Sequence, residues 1–253
     1  KSSMKRIIIK IGTNLLTDKH QRLDLNNMRH LTYQISDELK KRTAYEFIII
    51  SSGAITSGAK YINISPDNLA EKQAAAAIGQ ILLFQKYYEF FQIKNKCVGQ
   101  LLVTKDNFKD QNKKNNIEQT VETLLQNNVI PIINENDSVS TEEIQFGDND
   151  QLSAILAVNL NADHLIILTN TDGVLDQNKN IIPKLNQITE SELSLVEDSM
   201  SSIYSKGGMT SKLMAAKIAL DANIDVTIAN GRTENVIHTI LNGTSIGTKI
   251  TNK

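Results

Sequence analysis

Tryptophan is missing from this 253-residue chain, and three other residue types are scarce: one Cys, three Pro and five Arg. A lone cysteine, Cys97, cannot close an internal disulfide, which fits a reducing compartment. With three prolines and no low-complexity stretch, nothing marks a linker at which to cut the chain into separate domains. An excess of one charge sign is missing too. The 27 Lys+Arg against 28 Asp+Glu leave a net charge of -1, which removes the electrostatic case for a nucleic-acid binder. Apolar runs such as residues 48–50 and 165–168 fall far short of the roughly 18 needed to span a bilayer. No charged-then-apolar signal segment opens the chain, since Lys5 and Arg6 lead straight into isoleucines. The expectation is a cytoplasmic protein with no membrane and no nucleic-acid partner.

What the chain does have is core-forming material. A chain of this size buries roughly 75% of its unfolded surface, and 40% of these residues are hydrophobic, so one large core is within reach. There are also 26 Asn, a skew that gives any isolated Asn or Lys little functional weight. Strand and helix patterns alternate throughout. Residues 6–11, 47–51, 98–104, 129–133, 164–169 and 225–229 are short, β-branched and apolar, and read as buried strands. Helical spacing recurs over 25–41, 117–127, 149–159, 209–222 and 236–241, and over a long stretch that Pro66 and Asp67 open and that runs to about residue 91. The Lys-, Asp- and Asn-rich segment 105–116 reads as a solvated loop. Apolar strands alternating with helices imply an α/β fold with a mostly parallel sheet covered on both faces. Residues 1–150 and 151–253 are expected to form two lobes of one continuous sheet.

Several chemistries fail on inspection. His20, His30, His164 and His238 are scattered and show no zinc spacing with Cys97. No G-x-S-x-G elbow and no G-x-G-x-x-G fingerprint appears. The run from Gly53 to Lys60 nearly makes a Walker A loop, but Ala59 separates the second glycine from the lysine and Tyr61 follows it.

Four segments remain, and open α/β sheets bind ligands at the carboxyl ends of their strands. Lys10 interrupts an all-apolar strand and is followed by Gly12, although an edge-strand lysine would look the same. Ser51, Ser52 and Gly53 end a strand in small residues before a helix, leaving backbone N–H groups for an anion. Asn134, Glu135, Asn136 and Asp137, then Gly147, Asp148, Asn149 and Asp150, form the densest polar set; one Asp is explained as a helix cap and the rest are not. Lys206, Gly207, Gly208, Met209, Thr210, Ser211 and Lys212 form a glycine-rich approach to an Ala-rich helix, suited to phosphate. Thr169 and Asn170, before Asp172 and Gly173, make a weaker turn. Two lysines, carboxylates and two anion-binding turns point to phosphoryl transfer without a Walker loop, a reaction run by positioning and charge neutralisation.

Taken in order, KIGTNLL, SSGAI, IINEND, FGDNDQLSA, LTNTDG and GGMTSKLMAA resemble the amino acid kinase superfamily, and within it the glutamate 5-kinase family, over essentially the whole chain. The resemblance implies a three-layer αβα sandwich around a largely parallel sheet of about eight strands. It implies ATP- and Mg2+-dependent phosphorylation of the γ-carboxylate of L-glutamate, the first step of proline synthesis. The acceptor would sit on the N-terminal lobe and ATP on the C-terminal lobe. Carried over by position, Lys10 and Lys212 would stabilise the transferring phosphoryl and Asp150 would orient them. Ser52, Gly53, Asn134, Asp137 and Asn149 would bind glutamate, with Asp137 on its α-ammonium. Lys10, Gly12, Thr169, Asn170 and residues 206–212 would hold the nucleotide, and no metal ligand is assigned. Family members often carry Asp where this chain has Asn170, and many continue into a PUA domain that has no counterpart before Lys253. The family also implies a homo-oligomer, dimer or tetramer, and feedback inhibition by L-proline. The rivals are a relative acting on N-acetylglutamate, aspartate, carbamate or UMP, and a non-catalytic nucleotide or amino-acid sensor on the same fold.

Overall fold

A computed structural model of the chain describes residues 4–65, 68–141, 149–190, 193 and 208–252. The elements run β1 (Lys5–Ile11), α1 (Thr13–Leu16), α2 (Leu25–Lys41), β2 (Tyr45–Ile50), α3 (Ala54–Gly58), α4 (Leu69–Ile93), β3 (Cys97–Val103), α5 (Gln111–Gln126) and β4 (Val129–Glu135). There follow α6 (Asn149–Asn159), β5 (His164–Thr169), β6 (Lys184–Leu185), α7 (Met209–Asp221), β7 (Asp225–Asn230), α8 (Val236–Leu241) and β8 (Thr248–Ile250). All eight strands join one continuous sheet in the order β3-β4-β2-β1-β5-β7-β8-β6. Every pairing is parallel except β7 with β8. No helix among the described residues is long and apolar enough to cross a membrane.

Strand side chains alternate between faces, so one strand feeds two cores. On β1, Ile7, Ile9 and Ile11 pack with Leu31 and Ile35 of α2 and Leu83 and Tyr87 of α4. Ile8 packs on the opposite face with Leu152 and Leu156 of α6 and Leu213 and Ala216 of α7. Period two therefore sends Lys10 to the same face as Ile8, beneath α6 and α7. The next strand after β1 is β2 on one side, and the next long strand after β5 is β7 on the other. The carboxyl ends of β1 and β5 thus flank a switch point, the usual ligand crevice of an open sheet.

The helix starts divide into two kinds. Asp24 caps α2 through the Asn27 N–H, Asn68 caps α4 through that of Glu71, and Asp110 caps α5 through those of Asn112 and Lys113. By contrast α1, α3 and α7 start at Gly12, Gly53 and Gly208, and no side chain caps them. The α3 start takes its shape from Gly53, whose φ of 91° is left-handed backbone that disfavours a side chain. Close packing holds α3 in place. A Cβ on Gly79 of α4 would lie 1.7 Å from the Ala54 carbonyl oxygen, so only glycine lets the two backbones meet.

Segment 105–116 is not a plain loop. Residues 105–108 form a 3-10 turn, and α5 already begins at Gln111. Its first two turns face solvent, so they carry no apolar period to read, and the Asp110 cap sets the start. Strands β6 and β8 have two and three residues, too short for any local pattern; pairing with neighbours makes them strands. The expected helix opening at Pro66 and Asp67 lies outside the described residues, and α4 is described from its Asn68 cap.

Candidate active site

The chemistry gathers around one carboxylate. Asp150, in the first turn of α6, is fully buried, and Lys10 of β1 and Lys212 of α7 reach it from two sides. Lys10 Nζ lies 2.6 Å from Asp150 Oδ1 and Lys212 Nζ 3.1 Å from Asp150 Oδ2. Both lysines are buried, at 3% and 7% exposure. Desolvating three charges costs several kcal/mol per ion, and apolar replacements of such groups are often at least as stable. Stability alone does not explain two ammoniums held on one carboxylate at the ends of two elements. Their convergence on Asp150 brings two ammoniums to one place at the sheet's carboxyl edge.

Asn149, the residue before Asp150, ties the same helix to the ends of β2 and β4. Its Nδ2 donates to Asn134 Oδ1 at 2.7 Å, to the Ser51 carbonyl, and to Ser52 Oγ at 3.4 Å. Ser52, Asn134 and Asn149 therefore meet, and Gly53 starts α3 beside them. Asn134 Oδ1 also accepts the Glu135 N–H at 2.8 Å, and Asn134 Nδ2 donates to Gln80 Oε1 of α4 at 2.8 Å. Next along the chain, Glu135 and Asp137 line a cavity of about 530 Å³ with Gln80, Phe84 and Leu102. No Lys, Arg or His is among the described residues lining it. Burial, and then the Glu135 carboxylate nearby, push the half-buried Asp137 carboxyl up to about 7. A cationic group entering this cavity would be welcomed by both carboxylates.

Across the switch point, Thr169 is buried at the end of β5, beside β1 and β7. Its Oγ1 donates to the Oδ1 of exposed Asn170 at 3.4 Å. The Gly12 N–H is taken by the Leu168 carbonyl at 3.1 Å, which locks the β1 exit against β5. Gly208 starts α7, with Met209, Thr210 and Ser211 half-buried in its first turn and Lys212 just behind. With no capping side chain, these first N–H groups are oriented toward whatever anion approaches the helix start. Lys206 and Gly207, and Gly147 and Asp148 of the acidic motif, lie outside the described residues. Among the described residues no group of three His, Cys, Asp or Glu is placed to hold a metal ion.

Two polar residues of this network escape a reading by motif. In the sequence Ser51 reads only as part of a small-residue turn, yet its carbonyl receives Asn149 and its Oγ donates to Tyr87 Oη at 3.1 Å. Gln80 sits in an Ala-rich helix that reads as core. The available signal was an amide on a buried helical face, which needs a partner.

The amino acid kinase family model matches residues 5–230. A glutamate 5-kinase of Thermoanaerobacter sp. (strain X514) is 40% identical over 250 residues, covering 96% of this chain and 67% of the relative. One from Clostridium perfringens is 39% identical and covers 96% of this chain and 94% of the relative. Among solved structures, carbamate kinase from Giardia lamblia bound to AMP-PNP shares the fold, with a TM-score of 0.69 at 18% identity and 99% of both chains covered. The β1 lysine, the glycine-started helices, the continuous sheet and these relationships agree: the chain belongs to the amino acid kinase family.

Proposed function

We propose that the chain transfers the γ-phosphoryl group of ATP to the γ-carboxylate of L-glutamate, giving L-glutamyl 5-phosphate and ADP, the entry reaction of proline synthesis. The observation that carries this reading is the pair of lysine ammoniums on the two oxygens of Asp150. The acceptor is supported by the Asp137–Glu135 cavity and by relatives that bear the glutamate 5-kinase name.

In this reading a γ-carboxylate oxygen attacks the γ-phosphorus in line, an O–P bond forms, and the bond to ADP breaks. A carboxylate is already ionised at neutral pH, so the step needs no general base. It needs charge neutralisation, because two like unit charges at 4 Å repel by roughly 4 kcal/mol at an effective dielectric of 20. Lys10 serves the phosphoryl group from the acceptor side and Lys212 from the nucleotide side, with Asp150 keeping both ammoniums aimed inward. The α7 start at Gly208, with Thr169 and Asn170, holds the nucleotide, while Gly12 keeps the β1 exit close to it. Ser52, Gly53, Asn134 and Asn149 hold the acceptor, and Asp137 takes its α-ammonium. Magnesium brought with the nucleotide would supply further neutralisation of the phosphate charge.

The first ~150 residues then serve the acceptor and the remainder the nucleotide, with α6 as the joint. A cytoplasmic enzyme, assembled as a homo-oligomer and inhibited by L-proline, is the wider proposal. The test is ATP turnover against a panel of glutamate, N-acetylglutamate, aspartate, carbamate and UMP, with hydroxylamine trapping of acyl phosphate. Glutamate should give the hydroxamate with the highest kcat/KM. Turnover confined to another acceptor sinks the glutamate reading, and no turnover at all favours a sensor.

A further inference from the structure

Three polar residues of α4 recur at seven-residue spacing: Gln73, Gln80 and Tyr87. Seven residues are nearly two helical turns, with a drift of only about 20°, so the three share one stripe. Each touches a different part of the acceptor side. Gln73 Nε2 donates to the Ser140 carbonyl at 3.1 Å, Gln80 Oε1 accepts from Asn134 Nδ2 at 2.8 Å, and Tyr87 Oη accepts from Ser51 Oγ at 3.1 Å. The stripe thus holds both ends of the segment 134–140 and the end of β2. The glycine contact between α4 and α3 sets its depth, since Gly79 precedes Gln80 and abuts Ala54.

Two of the three contacts have a fixed direction. Asn134 Oδ1 faces a backbone N–H, that of Glu135, so its amide nitrogen must face Gln80, and Gln80 must accept. Ser140 offers a carbonyl, so Gln73 must donate. Freed from Gln80, the Asn134 amide could turn, and Asn149, which donates to it, would lose its register on Ser51 and Ser52. None of the three residues needs to touch a substrate to matter.

We propose that Gln73, Gln80 and Tyr87 are positioning residues of the acceptor site, a stripe on α4 that sets acceptor affinity by holding Ser140, Asn134 and Ser51 in place. The inference rests on the reading that the acceptor binds at Ser52, Asn134, Asp137 and Asn149. It predicts the same loss at two positions that no substrate need touch. Gln73→Met loses the donor to the Ser140 carbonyl and should raise the glutamate KM about 3- to 10-fold, the reach of one neutral hydrogen bond. Gln80→Met should raise the glutamate KM by a similar factor, with kcat and the ATP KM within about twofold. The measurements belong at pH 8.5, above the Asp137 carboxyl's value of about 7. Hydrogen exchange of the segment 134–141 should quicken in both variants.

A Gln73→Met or Gln80→Met enzyme with unchanged glutamate KM overturns the proposal, as does one with kcat and both KM values altered alike, or one whose segment 134–141 exchanges at the parent rate. Should Gln80→Met fold poorly, Gln73→Met decides. The exchange readout does not depend on the acceptor's identity. If the parent ignores glutamate, the acceptor reading has failed and exchange still judges the stripe. If Asp137→Asn weakens glutamate binding while Gln80→Met is silent, only the stripe has failed.

Discussion

The two ends of the site are opposites built from the same elements. At one end two lysines share a single carboxylate, at the switch between β1 and β5. At the other, Glu135 and Asp137 line a cavity whose described lining contains no cation. In the proposed reaction the first end would serve the phosphoryl group and the second the substrate's ammonium. Consecutive residues join them, since Asp150 belongs to the cationic end and Asn149 to the acceptor end. An amino acid acceptor is itself a dipolar molecule, and in the proposed reaction two poles joined through one helical turn would orient it. The lesson is that charge here serves direction more than stability.

The cationic end should be the more fragile. Asp150→Asn removes a carboxylate that two buried ammoniums share, and removing one partner of a buried pair costs roughly 3–5 kcal/mol. Thermal and urea unfolding should register that loss, and kcat should fall with it; a variant of parental stability would mean that the lysines do not depend on Asp150. Next come the lysines themselves. Lys10→Ala or Lys212→Ala should lower kcat by at least ~10²-fold, the usual loss for a transition-state charge partner. Because both act on one phosphoryl group, the double variant should lose much less than the product of the singles. Near-parental kcat in either single removes that lysine from the mechanism.

At the anionic end the effects should fall on binding. Asp137→Asn keeps size and one acceptor oxygen but removes the charge, and charge-assisted hydrogen bonds contribute about 1.5–3 kcal/mol. The glutamate KM should rise about 10- to 150-fold while the ATP KM stays put. A rise in the ATP KM alone would break the two-pole comparison.

The smallest effect concerns pH. The Asp137 carboxyl stands at about 7, above its ordinary 3.8, so the folded protein holds a proton there that the unfolded chain has already released. The sign follows: as pH rises from about 4 to 7 this group costs stability, and above 7 the cost is constant. An ammonium favours the ionised form, so glutamate binding below pH 7 must expel the proton. The glutamate KM should rise by up to about tenfold per unit below pH 7 and level off above it. That bend should vanish in Asp137→Asn; a bend that survives belongs to another group.

Much of this architecture is written locally. Runs such as residues 6–11 and 164–169 are too short and too β-branched for helices, and their apolar continuity announces a sheet covered on both faces. The glycines at 12, 53 and 208 mark helix starts with open N–H groups. The start of α5 was not legible, because a solvent-facing helix turn has no apolar period. Nor were β6 and β8, which exist only by pairing. Within the site, motifs single out Lys10, Asp150 and Lys212, but not Gln73, Gln80 or Tyr87, whose partners lie 67, 54 and 36 residues away.

By itself, then, the order of residues determined the alternation of strands and helices, the face on which Lys10 must lie once β1 is a strand, and the glycines that leave helix starts open. Those are properties of one or two turns of chain, set by period, by Cβ sterics and by the lack of a capping side chain. Only the tertiary structure decided that Lys10 and Lys212 share Asp150, and that one stripe of α4 grips three separate stretches of the acceptor side. Such contacts depend on strand register, on glycine-to-backbone packing between α3 and α4, and on the cost of leaving a buried polar group without a partner. Each of these is a balance among segments far apart in the chain, and no local window contains more than one side of it.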